Sequence, residues 1–148
     1  MGYRRIEGDG LSTRYAGTPR LAVTAVDDGP MSIELYFQAS QARTGEPAAF
    51  TRIVFEAVFE SRWVAADQTY FVANRDDYEF RLIEILDSGL IAMMLNEGTY
   101  EGQPKGQRFV GVIDEADVRH YRIGFDDYGT LDVICLSIQV GHLESPGR

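Results

Sequence analysis

The chain has 148 residues, with 23 acidic side chains against 14 basic ones and a hydrophobic content of 45%. A chain of this length can fold as one domain that buries about 68–70% of its unfolded surface, and its apolar fraction excludes wholesale disorder. It contains no apolar run near the roughly 18–20 residues of a membrane span. Its one cysteine excludes an internal disulfide framework and any multi-cysteine metal centre.

The negative charge is concentrated in the second half of the sequence. Residues 1–74 carry nine acids and seven bases, whereas residues 75–148 carry fourteen acids and seven bases. Such a surface repels a phosphate backbone, so we expect binding neither to nucleic acid nor to a membrane. The same charge would attract a basic protein partner. No apolar segment typical of a secretory signal follows the basic N-terminus, and we therefore expect a cytoplasmic protein.

The segments 21–26 and 31–40 predict a β-hairpin. In the second segment apolar and polar side chains alternate, which is typical of a strand with one buried face. That face comprises Met31, Ile33, Leu35, Phe37 and Ala39. The residues between the two segments, 27–30, are turn formers (Asp-Asp-Gly-Pro), so the chain is expected to reverse there.

A second alternating run covers 50–64. Its apolar parity holds Ile53, Phe55, Ala57, Phe59 and Trp63. A helix would leave Phe55 and Phe59 on its polar side, so the pattern favours a strand. Because the run is longer than the usual strand of about 3–10 residues, we expect a bend or bulge near Ser61.

The segment 78–86 fits either a strand or an amphipathic helix. We prefer a strand, because a helix would place Phe80 and Ile85 on its polar face. Residues 87–89 (Asp-Ser-Gly) would then form a hairpin turn into a strand over 90–95.

The last third of the chain repeats the strand pattern. Residues 120–125 alternate, with an apolar side formed by Tyr121, Ile123 and Phe125. A turn is predicted over 126–129. The run 131–140 is apolar at nearly every position, which indicates a central strand covered on both faces. Residues 114–117 predict a single helical turn.

Together these elements predict an all-β single domain over 1–148. About ten short antiparallel strands separated by turns are typical of a two-sheet, jelly-roll-like sandwich or of a closed barrel. We expect at most one or two short helical turns, because a parallel βαβ fold would need longer helices between its strands. The irregular and terminal segments are predicted as loops over 40–49 and 96–107 and as frayed tails over 1–10 and 142–148.

Acidic pairs stand at predicted strand junctions, namely Asp27-Asp28, Asp76-Asp77 and Asp126-Asp127. Carboxylates on neighbouring loops can bind calcium through their oxygens. No Asp-x-Asp-x-Asp-Gly loop is present, and aspartate is common in turns because its side chain bonds local amides. Ordinary turn chemistry therefore explains the pairs, and a calcium site is an alternative interpretation.

The other chemically versatile side chains are isolated in the sequence. His120 and His142 are the only histidines and lie far apart, unlike the ligands of a typical zinc site. By parity His120 shares a face with Arg122, which is the solvent face of a sandwich or the polar lumen of a barrel. Cys135 stands in an apolar run, which predicts a small buried residue with a raised pKa rather than a nucleophile.

Two further features were considered as binding sites. The glycines of 96–107 do not form a phosphate-binding loop, because Lys105 precedes the last of them instead of following it. Tyr36 falls on polar parity and Tyr128 falls in a turn. At such positions a tyrosine is either an ordinary surface residue or an anchor for a partner.

The sequence therefore assigns no catalytic, cofactor-binding or metal-binding residues. The leading hypothesis is a non-enzymatic acidic interaction domain, of the inhibitor, immunity or accessory type, that binds a basic protein. One alternative is a small-molecule or enzymatic pocket near His120 and Arg122, with nearby tyrosines. The other is a calcium-binding domain that uses the Asp-rich turns. A homodimer is a further hypothesis, because a single lysine leaves the sheet edges little guarded.

Overall fold

The computed structural model describes residues 2–8, 11, 13, 16–25, 31–39, 50–65, 81–92, 115–125 and 128–143. Within these ranges the chain forms nine strands, which are β1 (Gly2–Arg5), β2 (Arg20–Thr24), β3 (Met31–Gln38), β4 (Phe50–Val58), β5 (Glu60–Ala65), β6 (Leu82–Leu86), β7 (Arg119–Phe125), β8 (Gly129–Cys135) and β9 (Ser137–Leu143). The predicted all-β class is confirmed.

The strands form two antiparallel sheets. One sheet has the order β1-β6-β7-β8-β5, and the other has the order β2-β3-β4-β9. The pairing of β2 with β3 confirms the predicted hairpin, although its turn residues 27–30 lie outside the described residues. The two sheets do not close on each other, so the fold is the predicted sandwich and the barrel alternative is wrong.

Two long runs of chain cross from one sheet to the other side by side. β4 pairs with β9 in the four-stranded sheet, and their continuations β5 and β8 pair in the five-stranded sheet. At the crossing the N–H of Phe59 donates to the carbonyl of Ile134 at 2.8 Å, and the N–H of Leu136 donates to that of Glu56 at 3.1 Å. We call this bent pair, β4–β5 with β8–β9, the corner ribbon. Strands that switch sheets at a bend are typical of sandwich corners.

The bend in the first run lies at 57–59 and not near Ser61. Ala57 adopts a left-handed backbone with a φ of 55°, which shifts the side-chain alternation by one residue. As a result Val58, rather than the predicted Ala57, is buried in the core, and Phe59 is only half-buried.

The second run also divides where the sequence predicts a single strand. All seven residues of β8 are buried, as expected of a central strand covered on both faces. Leu136 then bends outward and is exposed, and β9 continues in the other sheet. The predicted strand over 131–140 is therefore two strands.

An aromatic group occupies the space between the sheets. The ring of Phe125 lies 5.3 Å from that of Phe37 in an edge-to-face contact and 6.2 Å from that of Trp63 in a stacked one. Trp63 is partly exposed, so this predicted core residue lies at the margin. The apolar face predicted for 31–40 is buried except at Met31, which is exposed.

The segment that follows β6 differs from its prediction. The strand preference is confirmed for β6, while 78–80 lie outside the described residues. Residues 89–92, however, form a helical turn in place of the start of a strand over 90–95. The cause is local, because the Ser88 hydroxyl accepts the N–H of Ile91 at 3.2 Å and so caps the turn at its N-terminus.

The ends of the chain are more ordered than predicted. β1 pairs with β6 within the tail expected to fray over 1–10, and β9 extends through Leu143, into the tail predicted over 142–148. The predicted helical turn is confirmed as a 3₁₀ helix at Glu115–Asp117. The loops predicted over 40–49 and 96–107 lie outside the described residues.

Candidate functional site

Three buried polar side chains form a hydrogen-bonded chain on the outer face of the five-stranded sheet. His120 lies on β7, Asp132 lies on the neighbouring β8, and Ser88 follows β6. Oγ of Ser88 lies 2.7 Å from Nδ1 of His120, and Nε2 of His120 lies 2.7 Å from Oδ1 of Asp132. The three residues are 8%, 4% and 3% exposed, respectively. We call this arrangement the Ser88–His120–Asp132 chain.

Arg122 also binds the carboxylate of Asp132. It lies directly opposite Asp132 in the pairing of β7 with β8, and its Nε donates to Oδ1 at 2.8 Å. Oδ2 of Asp132 is buried and accepts no hydrogen bond from the described residues. An ionised carboxylate in such a position needs a cationic partner, because an unpaired buried charge costs several kcal/mol.

Alternation in a sandwich predicts that His120 faces solvent, but the structure buries it. The expectation is wrong because a second apolar cluster covers this face of the sheet. Its members are Ile91, Val118 and Ile134, with Phe59 and Leu90 packed against them. The alternation of β7 alone cannot predict this cover, because Leu90 and Ile91 come from the separate helical turn 89–92.

When His120 is neutral, the hydrogen-bonding capacities of the three side chains determine the proton positions. A carboxylate only accepts, so Nε2 of His120 carries a hydrogen and donates to Asp132. In the neutral imidazole Nδ1 is then an acceptor, and the Ser88 hydroxyl must donate to it. The oxygen of that hydroxyl accepts the N–H of Ile91 in turn. Every atom along the chain therefore has one consistent role.

The backbone on both sides holds Ser88 in place. On its C-terminal side the N–H of Ala92 donates to the Ser88 carbonyl at 3.1 Å, within the helical turn. On its N-terminal side Asp87 has a φ of 54°, which is uncommon outside glycine. The chain thus passes from strand to helical turn in two residues, and Ser88 stands at the junction.

Ser88 also lines a cleft of about 530 Å³. The cleft lies among the end of β6, the helical turn and the residues that precede β7. Its apolar wall is formed by Ile85, Leu86, Ile91, Ala92, Ala116 and Val118. Neither His120 nor Arg122 is among the lining residues, so of the Ser88–His120–Asp132 chain only Ser88 lines this cleft. Tyr121, the neighbouring tyrosine, faces the core, where burial raises its pKa.

One acid at the cleft is bound by two arginines. Glu84 is buried in the wall and accepts from Nη1 of Arg119 at 3.4 Å and from Nε of Arg4 at 3.1 Å. Arg119 lines the cleft, whereas Arg4 is not among the lining residues. Asp87 is the other acidic residue of the lining.

The structure places the other predicted candidates apart from this site. His142 is exposed on β9, in the other sheet, and is not brought near His120. Cys135 is fully buried, and burial raises the pKa of its thiol to about 12, as the sequence predicts. It faces the core between the sheets rather than the cleft.

The two candidate tyrosines lie in separate polar contacts. Tyr36 donates to Oε2 of Glu34 at 2.6 Å and accepts from Nε of Arg52 at 3.3 Å. The hydrogen bond from Tyr36, followed by that from Arg52, holds the pKa of Glu34 below its usual value. Tyr128 is exposed, and its hydroxyl lies 3.1 Å from Oγ1 of Thr18.

A smaller, apolar cleft of about 320 Å³ adjoins Tyr128. It is lined by Thr18, Pro19, Leu21, Trp63 and Tyr128. On β2, Leu21 is 45% exposed and Val23 is 61% exposed. Both lie opposite core residues of β3, so they point to the core side of the sheet but extend beyond the cover of the other sheet.

Several predicted candidates lie outside the described residues. These are the three Asp pairs and the glycine-containing loop over 96–107. Among the residues that the structure does describe, no group of three or more His, Cys, Asp or Glu side chains is placed to hold a metal ion. The helical turns of these same ranges fall well short of the length and apolarity that crossing a membrane requires.

Comparisons of the chain with protein-family models, with curated proteins and with solved structures gave no match.

Sequence reasoning missed two members of the site, and both carry a signal. Asp132 is the only acid in the apolar run 131–140, and an isolated acid in a central strand requires a buried partner. Ser88 stands three residues before Ile91, which is the spacing of an N-cap serine to the amide that it binds.

Proposed function

We propose that the protein binds a small, uncharged molecule with both polar and apolar groups in the cleft beside Ser88. The observation that carries this proposal is that Ser88, whose hydroxyl belongs to a buried hydrogen-bonded chain, lines a cleft of about 530 Å³. It develops the hypothesis of a small-molecule pocket near His120.

The size and lining of the cleft support a ligand of this class. Small-molecule sites usually occupy about 300–1,000 Å³ and combine an apolar wall with a few fixed polar groups. Here Ser88 supplies a fixed hydroxyl beside the six apolar lining residues. Arg119, the basic residue of the lining, already donates to the buried Glu84, which disfavours an anionic ligand.

A ligand screen on a cleft-filling variant tests the proposal. Wild-type protein is screened by ligand-observed NMR against a library of small neutral metabolites. Ala116 is exposed and lines the cleft, so Ala116→Trp should fill the cleft without disturbing the core. Ala25→Trp, at an exposed position after β2, is the matched control. Hits should bind wild type and the control but not Ala116→Trp. Equal binding to all three proteins, or no hit at all, would contradict the proposal.

A second function, the binding of a basic protein, is supported by a separate surface. The exposed side chains Leu21 and Val23 form an apolar strip on β2, beside the partly exposed rings of Trp63 and Tyr128. Isolated apolar residues are ordinary on a surface, but a contiguous apolar strip with aromatic neighbours is typical of an interface. The net charge of −9 favours a basic partner.

Affinity capture with matched variants tests this second function. The bait proteins are wild type, the strip variant Leu21→Ser/Val23→Ser, and the control Val140→Ser, which changes an exposed valine on β9. A basic protein should be recovered at low salt by wild type and by the control, and purified binding should weaken as salt is raised. Its equal recovery by the strip variant would assign the contact to another surface.

A further inference from the structure

We infer that Ser88 is an acyl-transfer nucleophile, with His120 as its general base and Asp132 as the positioning residue, acting on a small uncharged carboxylic ester bound in the cleft. This inference rests on the proposed function, because the substrate is the molecule that the cleft would hold. It adds an activity to that function.

The chain has the connectivity that nucleophilic catalysis by serine requires. A hydroxyl is a weak nucleophile until a neighbouring base removes its proton, and the base must in turn be oriented by a third group. Here the hydroxyl donates to Nδ1 of His120, and Nε2 of the same ring donates to Asp132, both over 2.7 Å. When the ring takes the proton of Ser88, both of its nitrogens become donors and Asp132 stabilises the resulting imidazolium.

Within the Ser88–His120–Asp132 chain, exposure is greatest at Ser88, the residue that must contact the substrate. Of the three residues only Ser88 lines the cleft, while His120 and Asp132 lie beneath the apolar cover. A substrate in the cleft would therefore meet the hydroxyl, and the base would be shielded from solvent. Such exclusion of water strengthens the electrostatic interactions of the ring with the carboxylate.

Two irregularities favour a catalytic role over a purely structural one. Oδ2 of Asp132 is buried without a hydrogen bond from any described residue, whereas buried structural networks normally satisfy their polar atoms. In addition, Asp87, the residue before Ser88, has a φ of 54°. Backbone strain of this kind is concentrated at functional sites, where it fixes the direction of a side chain.

The reaction balances without any further reactant except water. Oγ of Ser88 attacks the ester carbonyl carbon while its proton passes to Nδ1 of His120. The tetrahedral intermediate collapses, the bond from carbon to the alcohol oxygen breaks, and the alcohol leaves with the proton from Nδ1. A water molecule then repeats the sequence on the acyl–Ser88 ester. The products are a carboxylic acid, an alcohol and the free hydroxyl of Ser88.

A fluorophosphonate reagent, which labels activated serines covalently, tests the inference. Wild-type protein should gain one adduct, and peptide mass spectrometry should place it on Ser88. Ser88→Ala should gain none, and His120→Gln should react at least about 100-fold more slowly, as expected on the loss of a general base. Ser137→Ala, which removes an exposed serine at the start of β9, is the matched control and should react like wild type.

The positioning role of Asp132 has its own measurement. In Asp132→Ala the hydrogen on Nε2 of His120 loses its acceptor, so the ¹⁵N shifts of the ring should change and labelling should slow. Unchanged ring shifts together with unchanged labelling would remove Asp132 from the inference.

The outcomes separate this inference from the function on which it rests. If neutral ligands bind the cleft and the reagent labels no residue, or labels one other than Ser88, the nucleophile assignment is wrong and the binding proposal stands. If Ser88 is labelled and no ligand binds, the binding proposal fails instead. Should Ser88→Ala not fold, the location of the adduct in the wild-type protein still decides.

Discussion

Arg122 and Asp132 face each other directly across β7 and β8, and Nε of the arginine lies 2.8 Å from Oδ1 of the aspartate. The aspartate is almost completely buried, and the arginine side chain is largely so. The pair holds a buried carboxylate on the outer face of the sheet, and this carboxylate positions His120. Its contribution to stability and its contribution to the site can be measured separately.

Replacing the aspartate alone should destabilise the fold strongly. Asp132→Leu deprives Arg122 of its carboxylate partner, and breaking a buried pair in this way typically costs about 3–5 kcal/mol. The double variant Arg122→Met/Asp132→Leu should lose less, because it also removes the positive charge that the carboxylate compensates. Urea unfolding of both variants measures the difference. A double variant that is less stable than Asp132→Leu would show that the pair is not the source of the loss.

Gly129 should be irreplaceable even by alanine. Its φ is +131°, and an added Cβ would lie 2.1 Å from the backbone oxygen of Val64 on the neighbouring β5. Since that oxygen belongs to the backbone, β5 and β8 would have to separate, and Gly129→Ala should cost more than about 1 kcal/mol. Gly141→Ala is the control, because nothing lies within 4 Å of its added Cβ. Equal thermal midpoints for the two variants would contradict this account.

The thiol of Cys135 should react only after unfolding. Burial raises its pKa from 9.0 to about 12, so the folded thiol stays protonated at pH 8. Ellman's reagent should therefore label the protein in urea but not under native conditions. Rapid labelling of the native protein would show that the thiol is accessible.

The same shift predicts a loss of stability in alkali. Between pH 9 and 12 the unfolded thiol gives up a proton that the folded thiol keeps, so the free energy of unfolding should fall as the pH rises through this window. Below pH 9 the group adds no pH dependence. The slope attributable to Cys135 should approach about 1.4 kcal/mol per pH unit, measured as the difference between wild type and Cys135→Ala. Parallel slopes would refute the assignment.

Removing the Tyr36 hydroxyl should raise the pKa of Glu34. The hydrogen bond from Tyr36 is the largest cause of the lowered pKa, ahead of the one from Arg52. The stabilisation is therefore present above the usual pKa of the carboxyl and is lost as the pH falls through its lowered value. NMR titration of Glu34 in Tyr36→Phe measures the change. Tyr128→Phe, in which the lost hydroxyl contacts Thr18, should leave the titration unchanged.

Side-chain alternation predicts the all-β class, but it leaves sandwich and barrel open and does not predict the corner. The apolar faces of β3 and β7 follow directly from period-two patterns, because their alternate apolar residues are buried in the same core. The corner ribbon needs a shift of one residue at Ala57 and an outward bend at Leu136. Neither residue has a side chain that demands such a conformation, so the pairing of distant strands imposes both.

The candidate site was less accessible to sequence reasoning than the fold. Its members come from three separated segments, and only His120 and Arg122 were considered together. Ser88 was placed in a hairpin turn, because the sequence Asp-Ser-Gly suits a turn as well as an N-cap. The burial of His120 depends on Ile91 and Val118, whose packing over β7 is a tertiary contact without a local pattern.

The corner ribbon joins the two sheets of the sandwich through backbone hydrogen bonds at its bend. The edge strands farthest from it, β1 and β2, lie in different sheets, and no pairing between them occurs within the described ranges. In a protein built in this way we expect β1 and β2 to separate from the rest of the fold first. Amide protons near Phe59 and Ile134 should then be among the last to exchange with solvent.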